Sequence, residues 1–521
     1  MIYTLPHIIE NSARLFPKKE AFRCGNDSLS YSDLELKTNQ LAKYLVNAGV
    51  QKGDRVGIYM NRCLETAVAV YGIMKSGAAY VPLDPQAPHT RTLFLLEDCG
   101  IKFLVSTAKQ SKRIVMLLKK SSPLRYIIGL SGELPITTIS WDAIYRISME
   151  NYKAVKILGQ DMAYIMYTSG STGVPKGIMH THNSGLNYAK LSVNLYGLYR
   201  EDRVGNHAPL HFDISTFGYF SAPLAGATTI IVPDAYTKLP ASLAELMEKE
   251  KLTIWYSVPL ALIQLWLSGV LKKNGLYSLR WVLFGGENFT VKYLRALMQY
   301  WPHAKFSNVY GPAEVNQCTY HHLQELPDLE DQIPIGQVWD NTEYKILNKN
   351  DEQVPPGTIG ELVVRTCTMM KGYWNNKDLT EKSLYRETIG PQLEFVYYRT
   401  GDLVNQNQKG ALVFMGRNDR QVKIRGYRVE IDEVEAILTR HEKVKEAAVY
   451  VIEKENNNRE LSAAVLLMPK SKAKPQELVS FCKLLLPSYA IPNKIDILDN
   501  FSRTSSGKID RESIKNSLIE L

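Results

Sequence analysis

The chain of 521 residues lacks any apolar run long enough to span a membrane, which needs ~20 consecutive apolar residues. The nearest approach, Phe220 to Pro233, is short and broken by Pro223 and Gly226. The first residues, MIYTLPHIIENSARLF, lack a basic segment followed by an apolar core, so no secretory leader is expected. Cysteine is sparse. The six cysteines, Cys24, Cys63, Cys99, Cys318, Cys367 and Cys482, are scattered with no CxxC pair. That excludes a zinc ribbon or disulfide framework and fits a reduced, cytoplasmic compartment. No strong bias to one charge exists either: 62 Lys and Arg against 53 Asp and Glu give a net +9. The basic residues are mostly interspersed with acids, so neither nucleic acid nor a membrane is expected as a partner. Only residues 101–132 are one-signed, with Lys102, Lys109, Lys112, Arg113, Lys119, Lys120 and Arg125 and no acid. They read as a solvated helix face, with a weak site for an acidic partner as the alternative.

What is present is ordinary globular composition, 45% hydrophobic and 22% charged. The length exceeds what one core supports, so more than one domain is expected. Residues 1 to about 415 read as strand–helix units. Asp33–Ala48 and Glu65–Lys75 carry helical apolar patterns, and 55–60, 103–106, 126–129, 163–167, 228–233, 253–257 and 280–284 read as buried strands. Strands alternating with helices predict parallel sheets covered on both faces. From about 359, short strands between Gly and Asn suggest a smaller β unit. After Gly416 an αβ tail follows: a hairpin at VKIRGYRV, a helix at EIDEVEAILTRH, two antiparallel strands, a helix near 476–486 and the strand KIDIL. The expected fold class is therefore a large α/β N-terminal domain, of two αβ subdomains and a small β subdomain, with a small α+β C-terminal domain. Domain ranges of 1–417 and 418–521 are expected.

The string Tyr167-Thr168-Ser169-Gly170-Ser171-Thr172-Gly173-Val174-Pro175-Lys176-Gly177 follows an apolar strand. Glycines let backbone N–H groups approach phosphate oxygens, hydroxyls add donors and Lys176 adds charge. A helix-like segment is expected directly after it. The string is not a Walker A loop, because Lys176 is not followed by Ser or Thr.

It resembles the phosphate loop of the adenylate-forming superfamily: acyl-CoA ligases, luciferases and amino-acid adenylation domains. The resemblance continues in order through Asn308-Val-Tyr-Gly-Pro-Ala-Glu314, Gly360-Glu-Leu-Val with Lys371-Gly-Tyr-Trp374, Tyr398-Arg-Thr-Gly-Asp402, Gly416-Arg-Asn-Asp419 through Arg428, and Ser506-Gly-Lys508-Ile-Asp510. It implies an enzyme that uses ATP and Mg²⁺ to join a carboxylate to AMP, releasing pyrophosphate. It implies further that Thr168, Ser169, Gly170, Ser171, Thr172, Gly173 and Lys176 hold phosphate, with Gly286, Glu287, Asn308, Tyr310 and Gly311 around adenine. Asp402 and Arg417 fall at the ribose, and Glu314 at the metal, where a hard cation needs a carboxylate. Lys508 bridges the acid and the α-phosphate, so the catalytic set is Lys508, Glu314 and Thr168. Asp419 is the implied hinge, and Gly426 lines a thiol tunnel after the small domain rotates. Ala313 departs from the family's usual Thr.

His211-Phe-Asp213-Ile-Ser resembles the substrate motif of the amino-acid branch. An α-ammonium entering an apolar pocket needs a charged partner, which Asp213 supplies; a helix N-cap is its structural alternative. Position by position the pocket comprises Asp213, Ile214, Phe217, Tyr256, Leu283, Gly285, Val309, Gln317 and Cys318, with Lys508 at the carboxylate. This pattern resembles stand-alone L-prolyl-carrier-protein ligases, except that Gln317 stands where an aliphatic residue is expected. The chain carries no carrier-protein signature, so the acyl group is expected to pass in trans to the phosphopantetheine thiol of a separate, usually acidic, carrier protein, as in nonribosomal antibiotic or toxin biosynthesis. A D-alanyl carrier ligase, a CoA ligase for a small acid and a non-catalytic ATP-binding relative are the alternatives.

Overall fold

The structure is a computed structural model and describes residues 1–120, 122–132, 134–170, 173–454, 458–504 and 509–519. Lys508, Ser171 and Thr172 lie outside the described residues. The chain divides into two compact units. One comprises Met1–Pro85, Leu95–Met166 and Gly177–Asn418; the other comprises Gln86–Phe94, Tyr167–Lys176 and Asp419–Leu521.

Among the described residues, the first unit is built on two large mixed sheets and one antiparallel sheet. In the nine-stranded sheet, six adjacent strands run parallel: Lys305–Tyr310, Trp281–Gly285, Ile254–Ser257, Arg203–Asn206, Thr228–Ile231 and Glu20–Cys24. Antiparallel strands border them, Thr319–Leu323 on one side and Asp27–Ser30 on the other. The second sheet has a parallel core of Ala79–Pro82, Arg55–Tyr59, Phe103–Ser106, Tyr126–Ile128 and Thr137–Ile139. Strands Ala79–Pro82, Arg55–Tyr59 and Phe103–Ser106 are nearly continuous hydrophobic runs because both faces are buried. Helices are set by local signals. Ser30 and Asp33 form a reciprocal cap for Tyr31–Asn47, and Thr181 with Ser184 does the same for His182–Tyr196, which ends on left-handed Gly197.

Two expectations are corrected. The phosphate string is followed by the strand Lys176–Thr181, not by a helix. That strand pairs antiparallel with Gly372–Tyr373, and the helix starts only where Thr181 can cap it. The smaller β unit also begins earlier than 359. Strand Thr342–Leu347 pairs with Gly360–Thr366, and Leu393–Gln406, Leu384–Gly390 and Leu412–Arg417 complete an antiparallel sheet. Its first strand carries the exposed Glu343 and the partly buried Lys345, which pairs with Glu387, and these charges hide it from a hydrophobicity reading.

In the second unit, hairpin Gln421–Ile424/Tyr427–Glu430 leads into helix Ile431–Thr439. Strands Val444–Glu453 and Arg459–Leu467 pair antiparallel, and Lys494–Leu498 adds in parallel. Period-2 alternation places Val449, Leu461 and Ala463 in one core cluster and Ala448, Tyr450 and Ala464 in another, on the opposite face. No helix among the described residues is long and apolar enough to cross a membrane.

Candidate active site

Alternation also sorts the strands of the nine-stranded sheet. Ile254, Tyr256, Trp281, Leu283 and Val309 pack in one cluster, whereas Trp255, Val282, Phe284 and Phe306 pack in another. Tyr256, Leu283 and Val309, expected in the pocket, therefore share a face. Register sets Tyr256 beside Leu283 and Gly285 beside Val309. A β-carbon at Gly285 would stand 2.2 Å from the Val309 carbonyl oxygen, so only glycine fits. Phe217 opens a π-helical turn, Phe217–Ser221, a rare form common at functional sites. Its ring meets Tyr256 edge-on, with centroids 5.6 Å apart. Nothing in the residue pattern signals this turn. Ile214 packs on the same cluster.

Asp213 is partly exposed, and its Oδ1 accepts the Ile214 N–H at 2.8 Å. Burial raises the Tyr256 phenol pKa well above its ordinary range, and the Asp213 charge adds to the rise. Cys318 is fully buried and burial pushes its thiol up strongly. A thiol held protonated is a wall, not a nucleophile.

Residues 310–318, which hold residues expected in both the acid pocket and the nucleotide site, form a tight knot. Cys318 N–H donates to the Tyr310 carbonyl at 3.0 Å, and Val315 N–H to that of Pro312 at 3.0 Å. At Gly311 a β-carbon would lie 2.5 Å from Gln317 Cα. Glu314 is 0% exposed, and the Tyr373 hydroxyl donates to its Oε1 at 2.7 Å. His180 Nε2 donates to the Ala313 carbonyl at 2.9 Å while its Nδ1 faces the Ser184 hydroxyl at 3.2 Å. Burial lowers the His180 pKa to about 4, so it is neutral near pH 7. Neither Tyr373 nor His180 drew a role from the sequence. Tyr373 lay inside the quoted Lys371-Gly-Tyr-Trp374, whereas His180 had no signal beyond its closeness to the phosphate string.

Asp402, expected at the ribose, is buried and clamped. Tyr310 donates its hydroxyl to Oδ2, and Arg417 pairs with Oδ1. Each oxygen retains a lone pair for a further donor. Asn308 donates an amide N–H to the Pro334 carbonyl at 2.8 Å. Gly286 adopts φ +92°, a turn that directs Glu287 off the end of its strand.

The described residues of the phosphate string from Tyr167 to Lys176 belong to the second unit. Ser169 donates its hydroxyl to the Arg428 carbonyl at 2.8 Å. Gly173 N–H closes on the Gly170 carbonyl at 3.0 Å, and a β-carbon at Gly170 would stand 2.0 Å from the Val174 carbonyl oxygen. The Thr168 hydroxyl is buried without a hydrogen-bond partner among the described residues, as a donor awaiting a ligand would be. Lys176 starts the next strand. Asp419 begins the last segment of that unit and accepts the Gln421 N–H at 3.1 Å. Gly426, with φ +82°, follows Arg425, with φ +54°, in the turn of the first hairpin.

Residues 9–374 match the model of the AMP-binding enzyme family, and residues 433–508 that of the AMP-binding enzyme C-terminal domain. The chain belongs to the AMP-binding enzyme family. It is 32% identical over 502 residues to the L-proline–[L-prolyl-carrier protein] ligase of Pseudomonas fluorescens, covering 96% of each protein. It is also 32% identical over 516 residues to tyrocidine synthase 1 of Brevibacillus parabrevis, a match that takes in 98% of this chain but spans only 45% of that longer protein. The fold matches, with TM-score 0.85 and 25% identity, that of a Vibrio cholerae adenylation domain in complex with glycyl-adenosine-5′-phosphate, covering 100% of this chain and 98% of that one. The chain is thus an adenylate-forming ligase with the fold of adenylation domains.

Proposed function

We propose that this enzyme activates a small amino acid, with L-proline as the leading candidate, as the aminoacyl-adenylate and then passes it to the phosphopantetheine thiol of a separate carrier protein. The observation that carries the reading is the aromatic and aliphatic face of Phe217, Tyr256, Leu283 and Val309, with the carboxylate of Asp213 four residues before Phe217. An acid without an α-ammonium has no use for that carboxylate. The similarity to a prolyl-carrier ligase over nearly the full length supports the same branch.

The substrate carboxylate oxygen attacks the α-phosphorus, the bond to the β-phosphate breaks, and pyrophosphate leaves. The thiolate then attacks the acyl carbon and AMP departs. Asp213 pairs the ammonium. Asp402, oriented by Tyr310 and Arg417, accepts ribose hydroxyls. The Thr168 hydroxyl and the glycine-borne N–H groups receive phosphate oxygens, and Lys508 balances the charge where two anions meet. Mg²⁺ keeps several waters and takes one or two carboxylates beside phosphate. Glu314 fits that need, being a buried carboxylate oriented by Tyr373, in a chain whose described residues hold no cluster of three ligating side chains. When bound, the ion would supply positive charge that offsets the charge of the phosphates. Asp419 is the proposed hinge and Gly426 the wall of the thiol tunnel. A net charge of +9 favours encounter with an acidic carrier.

Amino-acid-dependent ATP–pyrophosphate exchange, run over the twenty amino acids and D-alanine, tests the reading. Exchange with L-proline above alanine, glycine and serine is expected. Exchange best with D-alanine points to a D-alanyl carrier ligase, and none with any amino acid removes the proposal.

A further inference from the structure

Gln317 and Tyr256 form a polar pair in an otherwise apolar wall. Gln317 donates its Nε2–H to the Tyr256 hydroxyl, and each residue is only 4% exposed. The other end of the amide, Oε1, is buried and receives no hydrogen bond among the described residues. The Tyr256 oxygen takes the amide N–H, so its own hydrogen also lacks an acceptor there; burial keeps that phenol protonated. An acceptor and a donor thus stand side by side, unused. The surroundings are Phe217, edge-on to Tyr256, and Leu283, its register neighbour.

Buried polar groups are almost always satisfied, and an orphan pair in a binding wall is explained by what binds there. A hydroxyl both donates and accepts, so one hydroxyl answers both halves of the pair. An ammonium only donates and a carboxylate only accepts. The carboxylate near this wall, Asp213, is given in the reading above to the α-ammonium, which leaves a second charge unpaired, and an unpaired buried charge is too costly. A plain hydrocarbon ring leaves both groups unpaired.

We propose that the Tyr256–Gln317 pair recognises a side-chain hydroxyl, so that the preferred acid is an amino acid of about proline's size bearing one hydroxyl group. The inference rests on the amino-acid reading above and narrows it: unmodified L-proline is a member of the accepted class, second to a hydroxylated member.

The test uses the full chain and matched pairs of probes: the 3- and 4-hydroxy-L-prolines against L-proline, L-threonine against L-2-aminobutyrate, and L-serine against L-alanine. The ratio of kcat/KM within a pair, measured by ATP–pyrophosphate exchange, is independent of the fraction of folded enzyme. At least one hydroxylated probe is expected to exceed its deoxy partner by about 10–100-fold, the scale of leaving buried hydrogen-bonding groups unpaired. Gln317→Leu and Tyr256→Phe should each bring that ratio towards one, whatever their yield. If every deoxy acid equals or exceeds its partner, the inference is overturned while amino-acid activation stands. If the preference survives both substitutions, the pair is not its source and the inference is equally overturned. If no amino acid supports exchange, the underlying reading fails and takes the inference with it.

Discussion

In the proposed mechanism, Asp213, Lys508 and Tyr373 are three ways in which one side chain answers a charge. Asp213→Ala leaves the substrate ammonium without a counter-charge in a wall of Phe217, Tyr256 and Leu283. Unpairing a desolvated charge costs about 3–5 kcal/mol, so amino-acid-dependent exchange is expected to fall by a factor on the order of 10²–10³, with ATP binding unchanged by calorimetry. Lys508→Ala removes a cation from the phosphoryl-transfer step, and a comparable loss of exchange, on the order of 10²–10³-fold, is expected. Thiol transfer from pre-formed aminoacyl-adenylate should persist in that variant. Near-normal exchange would take Lys508 out of the mechanism. Tyr373→Phe deletes the donor to Glu314 Oε1. A hydrogen bond to a charged group is worth about 1.5–3 kcal/mol, so the KM for magnesium–ATP should rise at least tenfold while amino-acid KM stays put.

At the scale of elements, two glycines carry the argument. Gly285 pairs with Val309 across parallel strands, and its hydrogen faces the Val309 carbonyl oxygen. Gly285→Ala forces that strand pair apart. A loss of about 1–3 kcal/mol is expected, seen as a lower urea midpoint together with weakened acid activation. Gly426 is a different case. It sits with Arg425 at the two-residue turn of a hairpin, both at positive φ, as primed turns require. Any β-carbon there costs about 1 kcal/mol of backbone strain. Gly426→Trp is expected to keep pyrophosphate exchange and lose carrier loading, and Gly426→Ala, which carries the strain without the bulk, to keep both. Loss of both half-reactions in the Trp variant, with both retained in the Ala variant, would remove Gly426 from the thiol path.

For the whole molecule, three buried histidines set an acid limit. Burial lowers His180 and His182 to about 4 and His207 to about 3. Each is neutral in the folded chain and takes up a proton in the unfolded chain below its usual value near ~6.5. Their contribution to stability is therefore complete above about pH 6.5 and is lost as pH falls towards about 4. The thermal midpoint should be flat from about pH 8 to 7 and drop steeply between about 6 and 4. In a His207→Phe variant that folds, the acid-side drop should be shallower. A midpoint unchanged down to about pH 4 would mean that these rings titrate normally.

The order of the motifs, most strands and helices, and the glycines at tight turns are written locally in the chain. They depend on backbone conformation and on hydrophobic period over a few residues, which adjacent residues encode. The family is legible for the same reason, because its motifs recur as short ordered strings. Which polar groups meet is settled by folding alone. Gln317 bonds Tyr256 across 61 positions, Tyr373 bonds Glu314 across 59, Tyr310 bonds Asp402 across 92 and His180 bonds Ala313 across 133. The π-helical turn at Phe217 and the early strand Thr342–Leu347 belong with them. Such pairings follow from strand register and from the packing of distant segments, where a one-residue slip would turn every partner to the opposite face.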